Sequence, residues 1–145
     1  MNKKTYVPDQ KFVIANRKWH LINAKNEILG RLSVKIARLL TGKCKVYFTN
    51  YIDCGDFVIV INANELKLSG KKSTQKNFFS YSGYPGGLKL EPYSKLMVRN
   101  PEKVLFMAVK GMLPKNKLSR KQMTRLKIFR DGKHVHYAQF KINNK

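Results

Sequence analysis

The residues best suited to binding chemistry are the cations of segment 108–130, which contains no Asp or Glu. On a helix, Lys117, Lys121 and Arg125 would share one face because they are spaced at i, i+4 and i+8. Like charges on one face repel, and nothing within the segment neutralises them. We therefore expect these residues to bind an external polyanion; the alternative is a solvated surface helix. The cations of the segment are Lys110, Lys115, Lys117, Arg120, Lys121, Arg125, Lys127 and Arg130.

The overall charge points to the same class of partner. The chain has 145 residues, and thirty Lys and Arg against eight Asp and Glu give a formal net charge of +22. Such a charge destabilises a compact chain unless an anionic partner offsets it. No apolar run is long enough to span a bilayer, and the cations are spread along the whole chain instead of one amphipathic helix. Nucleic acid, anionic membrane and acidic protein are the candidate partners, and we expect an extended nucleic acid and no membrane. A sequence-indifferent DNA compactor is one alternative function.

A second candidate contact surface lies in residues 71–90, where basic and aromatic residues alternate before a glycine-rich turn at residues 83–87. Glycines permit close approach of the backbone to another molecule. Phosphates can take the cations, and unpaired bases can stack on the rings. The alternative is that Phe78 and Phe79 only attach a long loop to the core. The side chains that we expect at RNA are Lys71, Lys72, Tyr81 and Tyr84.

The acids and histidines form no recognisable catalytic or metal-binding motif. Asp53 and Asp56 are the only close pair of acids, and a turn at a strand entry explains both through local side-chain to backbone hydrogen bonds. His134 and His136 would point the same way on a strand, but no Cys or acid lies near them at ligand spacing. We expect no enzyme, metal, cofactor or small-molecule substrate. The alternative is an RNA-modifying or RNA-cleaving enzyme that uses Asp53, Asp56 and either His134 or His136.

Hydrophobic patterning predicts a small sheet. Residues 19–24 favour a first strand, and residues 45–50 a strand or extended segment. Phe57–Ile61 is a continuous β-branched and aromatic run, which is typical of a strand buried on both faces. It predicts a parallel or mixed sheet with helices on both sides, and residues 66–68 favour a further short strand.

Helices are predicted between these strands. Apolar residues recur at helical spacing from Leu32 to Leu40, and a short helix follows Pro92. A third helix should begin at Asn100 and end where residues 111–114 stop it, since Pro114 cannot continue a helix. The basic segment should then form a short helix capped by Asn116 or Ser119. No linker divides the chain, so we expect an extended N-terminal arm at residues 1–16 and a single RNA-binding α/β domain at residues 17–145 with a basic C-terminal segment.

Five motifs together resemble one protein family. They are RKW at residues 17–19, LGRL at residues 29–32, GDFVIVINA at residues 55–63, SGYPGGL at residues 82–88 and VKGMLPKN at residues 109–116. On these motifs the chain resembles the large-subunit ribosomal protein L-thirteen family, of the bacterial and plastid type, over most of its length.

The resemblance implies a three-layer α/β/α domain around a small, largely parallel sheet, with extended basic arms. It implies a structural constituent of the large ribosomal subunit that binds large-subunit ribosomal RNA, supports early subunit assembly and contacts neighbouring large-subunit ribosomal proteins. Carried over to the matching positions, it places at RNA Arg31, Ser82, Gly83, Tyr84, Gly86, Gly87, Lys110, Lys115, Asn116, Lys117 and Arg120.

The chain departs from the family pattern at two places. Tyr81 stands where His is frequent, and Asn50-Tyr51 replaces a usual Pro-His pair. The first six residues look like those of cyanobacterial and plastid members, and frequent Lys, Asn and Ile suit an AT-rich plastid genome. The expected location is the ribosome, with the plastid (chloroplast) stroma favoured and the bacterial cytoplasm as the alternative.

Overall fold

A computed structural model describes residues 6–141 of the chain. The strands are β1 (Trp19–Asn23), β2 (Phe57–Ile61), β3 (Asn77–Tyr81), β4 (Leu88–Pro92) and β5 (Leu126–Ile128). The helices are α1 (Gln10–Ala15), α2 (Leu29–Thr41), α3 (Lys72–Gln75), α4 (Tyr93–Arg99), α5 (Pro101–Met112), α6 (Lys117–Thr124) and α7 (Ala138–Lys141). None of the described helices combines the length and the apolar character that crossing a membrane requires.

The three-stranded sheet has the order β1-β2-β5, and both pairings are parallel. Its central strand β2 is the predicted apolar run, and Val58, Ile59 and Val60 at its centre are fully buried. Parallel neighbours on both sides satisfy the backbone groups of β2, and burial of both faces removes the need for polar side chains. The α/β class with a small parallel sheet is therefore confirmed.

The main core lies on one face of this sheet. Val58 and Val60 point into it, together with the apolar stripe of α2, which presents Leu32, Ile36 and Leu40 at helical spacing. Helix α5 packs against α2 and contributes further buried apolar residues from its own inner stripe, Val104, Leu105 and Val109. Burial of each such side chain stabilises the fold by about 1.5–3 kcal/mol, so this layer holds α2 and α5 rigidly on the sheet.

The opposite face of the sheet is covered by the C-terminal segment. The indole ring of Trp19 on β1 stacks on Phe57 of β2 at 4.2 Å between centroids. The ring of His136 lies 5.8 Å from that indole and 5.9 Å from Phe129. His134 is buried and stacks on Tyr137 at 4.1 Å. This second covering layer is thus built from histidine and aromatic side chains of a largely irregular segment.

Parts of both ends, where extended basic arms are expected, are helical or packed against the domain. Residues 10–15 form helix α1, in which Val13 is buried and Phe12 contacts Tyr47 edge-on at 5.5 Å between ring centroids. Near the other end, His134 and His136 pack against aromatic rings as described above. Val13 and His134 are buried, so part of each end is held in place by packing. Residues 1–5 and 142–145 of the predicted arms lie outside the described residues, and the domain boundary at residue 17 remains a prediction.

A two-stranded antiparallel hairpin, β3–β4, occupies the region that sequence patterning presented as a long loop. Phe79 lies opposite Leu90, and Tyr81 lies opposite Leu88. All four are exposed, with Phe79 at 72% and Leu90 at 65%. Because side chains alternate along a strand, these residues share one uncovered apolar face. We call it the hairpin face.

The other face of the hairpin turns toward the domain. Phe78 packs against the main core, with its ring 6.5 Å from that of Tyr93. The idea that both Phe78 and Phe79 attach this region to the core is therefore right only for Phe78. Phe79 is as accessible to a partner as Tyr81.

Two strand predictions are wrong, and the strand that would have aligned His134 with His136 does not form. Residues 45–50 form turns, and residues 66–68 contribute only an isolated bridge between Lys67 and Ile28. His134 and His136 do not lie on a strand; the backbone N–H of His136 donates to His134 Nδ1 at 3.2 Å. Short apolar runs such as these lack a neighbouring strand at the correct distance, so their local β preference is not realised.

Both predicted helix caps are present. The side-chain oxygen of Asn100 accepts a hydrogen bond from the Lys103 N–H at 3.0 Å, and that of Asn116 accepts one from the Ser119 N–H at 2.8 Å. Asn116, not Ser119, is therefore the N-terminal cap of α6. Helix α5 continues through Gly111 to Met112, and Leu113 is extended (ψ 150°) as expected before Pro114.

Candidate nucleic-acid interface

The connection between α5 and α6 and the outer face of α6 carry a continuous group of free cations. The packing of α5 on the core fixes where this group begins, and the Asn116 cap fixes where α6 starts. All five of its cations are exposed, and none forms an ion pair with a carboxylate of residues 6–140. We call this group the α6 cations: Lys110, Lys115, Lys117, Arg120 and Lys121.

Arg125 does not belong to this surface, contrary to the sequence-based prediction. Helix α6 ends at Thr124, and Arg125 is only 4% exposed. Its guanidinium forms a two-pronged pair with Asp53, in which Nη2 donates to Oδ1 at 2.6 Å and Nη1 donates to Oδ2. The i+8 spacing counted Arg125 as the third member of a helical face, but the chain turns inward there to enter β5. The charge of Arg125 is neutralised inside the domain.

Asp53 and Arg125 join four separate parts of the chain. Arg125 also donates from Nη2 to the Leu40 carbonyl at 3.2 Å and from Nε to the Asp56 carbonyl at 3.3 Å. A cation at the end of α2 interacts favourably with the unsatisfied carbonyl groups there. Arg17 donates from Nη2 to Asp53 Oδ2 at 3.2 Å. Burial, and then the neighbouring Arg125, lower the pKa of Arg17 against the opposing effect of Asp53.

Asp56 forms a second buried anchor at the start of the sheet. It accepts hydrogen bonds from the Lys18 N–H at 2.9 Å, from His20 Nε2 at 3.0 Å and from Lys45 Nζ. Burial alone would raise the pKa of the Asp56 carboxyl, but these donors outweigh it and hold that pKa below its usual value. The prediction that local hydrogen bonds explain Asp53 and Asp56 is wrong, since their side-chain partners are distant in sequence.

The pKa of Asp56 predicts acid sensitivity. An unfolded Asp titrates at about 3.9. The folded pKa is lower, so the stabilisation from Asp56 is complete above that pH and is lost as pH falls through the folded pKa. Urea unfolding between pH 7 and pH 2 should show the free energy of unfolding falling below about pH 4. Asp56→Asn should be less stable at pH 7 and show a shallower fall. Exposed Asp9→Asn is the control, and parallel pH profiles for wild type and Asp56→Asn would refute this role.

The glycine-rich turn lies at the tip of the hairpin. Gly83 (φ 91°) and Gly86 (φ 73°) occupy the left-handed region, which glycine adopts without strain. The Ser82 N–H donates to the Gly87 carbonyl at 3.3 Å, and the Gly87 N–H donates to the Tyr84 carbonyl at 2.9 Å. These bonds fold the tip back on itself and leave the ring of Tyr84 at 75% exposure.

The remaining predicted residues fall into two groups. Arg31 is exposed on α2, whereas Lys71 and Lys72 are exposed at the start of α3, which packs against α4. Arg31 lies seven residues before Arg38, so the two side chains share one face of α2 two turns apart. Helix α2 contacts α6, and Arg38 borders a groove that Asn116 and Gln122 also line. Lys71 and Lys72 lie on the chain that leads into β3.

Sequence patterning missed one cation beside α6. Lys43 follows α2 and borders the same groove as Arg38 and Asn116. Lys43 lies in a turn, so the helical spacing of apolar residues does not reveal it. The only signal in the sequence is that Lys43 follows Gly42, the glycine that ends α2.

No group of three or more His, Cys, Asp or Glu residues within the described part of the chain could hold a metal ion. Asp53 and Asp56 are engaged by the cations described above, and His134 is buried under an aromatic ring. Asp53 and Asp56, which the alternative of an RNA-modifying or RNA-cleaving enzyme would use, therefore serve as structural anchors.

The chain matches known proteins over most of its length. Residues 17–135 match the family model described as ribosomal protein L13. The chain is 52% identical over 136 residues to the large ribosomal subunit protein uL13 of Roseiflexus sp. (strain RS-1), covering 94% of this chain and 92% of that one. It is 47% identical over 136 residues to the large ribosomal subunit protein uL13 of Synechococcus elongatus (strain ATCC 33912), covering 94% of this chain and 89% of that one. This chain belongs to the ribosomal protein L13 family, whose members are structural ribosomal proteins of the bacterial type and not enzymes.

Proposed function

We propose that this chain is a component of the large ribosomal subunit that binds large-subunit ribosomal RNA and supports early assembly of that subunit. The observation that carries the proposal is the group of α6 cations, which are exposed and have no carboxylate partner among residues 6–140. Five exposed, unpaired charges close together in the chain repel one another until an anion neutralises them. Neighbouring large-subunit proteins are the further partners that family membership supports.

The affinity comes from phosphate contacts made by a rigid surface. Each phosphate that a Lys or Arg neutralises releases condensed counterions, and this lowers the log–log salt slope by about 0.7–0.9. The apolar core fixes the backbone of α5 and α6, so little backbone entropy is lost when the α6 cations meet phosphate, although their side chains still lose rotamer freedom. Shape and 2′-hydroxyl contacts add selectivity for folded RNA.

The hairpin supplies a different kind of contact. The rings of Tyr81 and Tyr84 are exposed at the tip end of the hairpin, and Lys71 and Lys72 are exposed on the chain that leads into β3. Unpaired bases stack on such rings while the cations meet the adjoining phosphates. The exposed glycines of the tip allow the backbone to approach RNA closely. We expect the hairpin to recognise a single-stranded or irregular RNA element.

Changing Lys110, Lys115 and Lys117 together to Ala tests the proposal. We expect weaker binding to large-subunit ribosomal RNA and a salt slope smaller by about 2, since roughly three phosphate contacts are lost. Filter binding across a series of salt concentrations measures both quantities. The circular dichroism spectrum and Tm should be unchanged, because all three side chains are exposed.

A charge-matched control separates this surface from net charge. Changing Lys25, Lys67 and Lys133 to Ala removes the same number of charges from exposed positions outside α5, α6 and the hairpin. It should reduce binding much less. Equal losses for the two triple variants would contradict the assignment of the α6 cations. Equal affinity for random duplex DNA and for ribosomal RNA at matched salt would instead support a DNA compactor.

The role in assembly and the location need separate measurements. Depletion of the chain should make early large-subunit precursors accumulate in a sucrose gradient. We propose a plastid location, with the bacterial cytoplasm as the alternative; frequent Lys, Asn and Ile support it. Fractionation should find the chain with large subunits inside plastids, and recovery from a bacterial cell would overturn that location.

A further inference from the structure

A groove of about 910 Å³ separates α2 from the connection between α5 and α6. Its volume lies within the range of sites that hold a small ligand. Ala37, Phe48, Ile52, Leu113 and Leu118 supply apolar walls. The groove therefore opens directly beside the α6 cations and can hold a flat, largely apolar group.

The groove contains a polar side chain that has no partner. Gln122 on α6 is only 6% exposed, and its Oε1 atom accepts no hydrogen bond from the described residues. Buried polar groups are usually satisfied, so an orphan of this kind needs an explanation. Rotation about the last side-chain torsion is soft, which lets the amide present its oxygen and its NH₂ group to the groove. A ligand with a matching donor and acceptor would satisfy both.

The charges at the groove favour one class of ligand. Arg38 and Lys43 border it, and none of its lining residues is Asp or Glu. An apolar peptide side chain would leave both cations and the amide unused. A nucleotide uses all three features, because its phosphate meets the cations, its base fills the apolar space and its edge pairs with the amide. Asn and Gln pair best with adenine, which offers a donor and an acceptor side by side.

We propose that this groove receives one unpaired adenine of the RNA bound at the α6 cations, with Gln122 as the residue that reads its edge. The inference rests on the proposed RNA-binding function. Phe48 provides a half-buried ring at the groove for the base to contact. Base insertion explains why a buried amide without a partner is retained in a helix whose outer face binds phosphate.

Gln122→Leu in the full chain tests the proposal. Leu has a similar size and removes both the donor and the acceptor, so Tm should be unchanged or higher. We expect affinity for large-subunit ribosomal RNA to fall by about tenfold, equivalent to one good bidentate pair. Dimethyl sulfate probing of the complex should show one adenine protected by the wild type and reactive with the variant. The hydroxyl-radical footprint on the backbone should persist in both.

Two further variants keep the test sharp. Gln10→Leu makes the same change at an exposed position and should bind as the wild type does. Phe48→Ala should expose the same adenine as Gln122→Leu, which supports the proposal without relying on one variant.

The outcomes separate this inference from the function on which it rests. Base insertion would be overturned if the wild type gave a backbone footprint without any protected adenine. It would also be overturned if the adenine stayed protected in both variants. Either result would leave RNA binding intact. Protection lost when a ribosomal protein is added would assign the groove to that protein and also overturn it. Absence of any wild-type footprint would overturn both.

Discussion

Replacing Gly55 by Ala should destabilise the domain by at least about 3 kcal/mol, because overpacking against rigid atoms cannot relax. A Cβ atom at Gly55 would lie 1.7 Å from the Leu40 carbonyl oxygen and 2.7 Å from Arg125 Nη2. The first contact is with backbone at the end of α2, so relief requires α2 to move off the sheet. Thermal unfolding followed by circular dichroism should show a Tm lower by roughly 10 °C, or no folded protein.

Gly30→Ala provides the matched control. Gly30 lies in the first turn of α2, and a Cβ atom there would meet nothing within 4 Å. Helix propensity favours Ala over Gly by about 0.5–1 kcal/mol, so this variant should be slightly more stable than the wild type. If both alanine variants melt at the same temperature, the close contact between residue 55 and α2 does not constrain the domain.

The second large effect is expected from Asp53→Asn. This change leaves two guanidinium groups, Arg17 and Arg125, without their shared counter-charge, and Arg125 is buried. Stranding a buried charge costs about 3–5 kcal/mol. Urea unfolding at pH 7 measures the loss. Asp131→Asn removes an exposed acid of the same type and should change stability by less than about 0.5 kcal/mol.

A double variant distinguishes charge from packing. Adding Arg125→Met to Asp53→Asn removes the stranded guanidinium, so part of the lost stability should return. Strictly additive losses would mean that the two residues contribute independently and that the pair is not the anchor described above.

The features that sequence reasoning predicted correctly are those fixed by local chemistry. The run at Phe57–Ile61 has no polar residue and consists of β-branched and aromatic residues, which favours a strand covered on both faces. Asn100 and Asn116 both precede a helical pattern and have a side chain that can cap it. The exposure of Lys117 and Lys121 follows from the same cap, which sets where α6 begins.

The features that it missed depend on distant partners. Arg125 continues the spacing of Lys117 and Lys121. Its side chain turns inward because Asp53 and the carbonyl group at the end of α2 accept its hydrogen bonds. The groove beside Gln122 has the same origin, since its walls come from three separate stretches of the chain. The site residues on α6 and on the hairpin remain predictions until RNA binding is measured.

The open hairpin has a consequence for copies that have not yet found RNA. Each of its strands has a single neighbour, so both edges retain unpaired backbone groups, and the hairpin face leaves Phe79 and Leu90 in water. Exposed edges and apolar patches promote association between identical chains. Newly synthesised protein in excess of its RNA should therefore aggregate and be degraded. This would keep the abundance of the protein matched to that of ribosomes without any dedicated regulator.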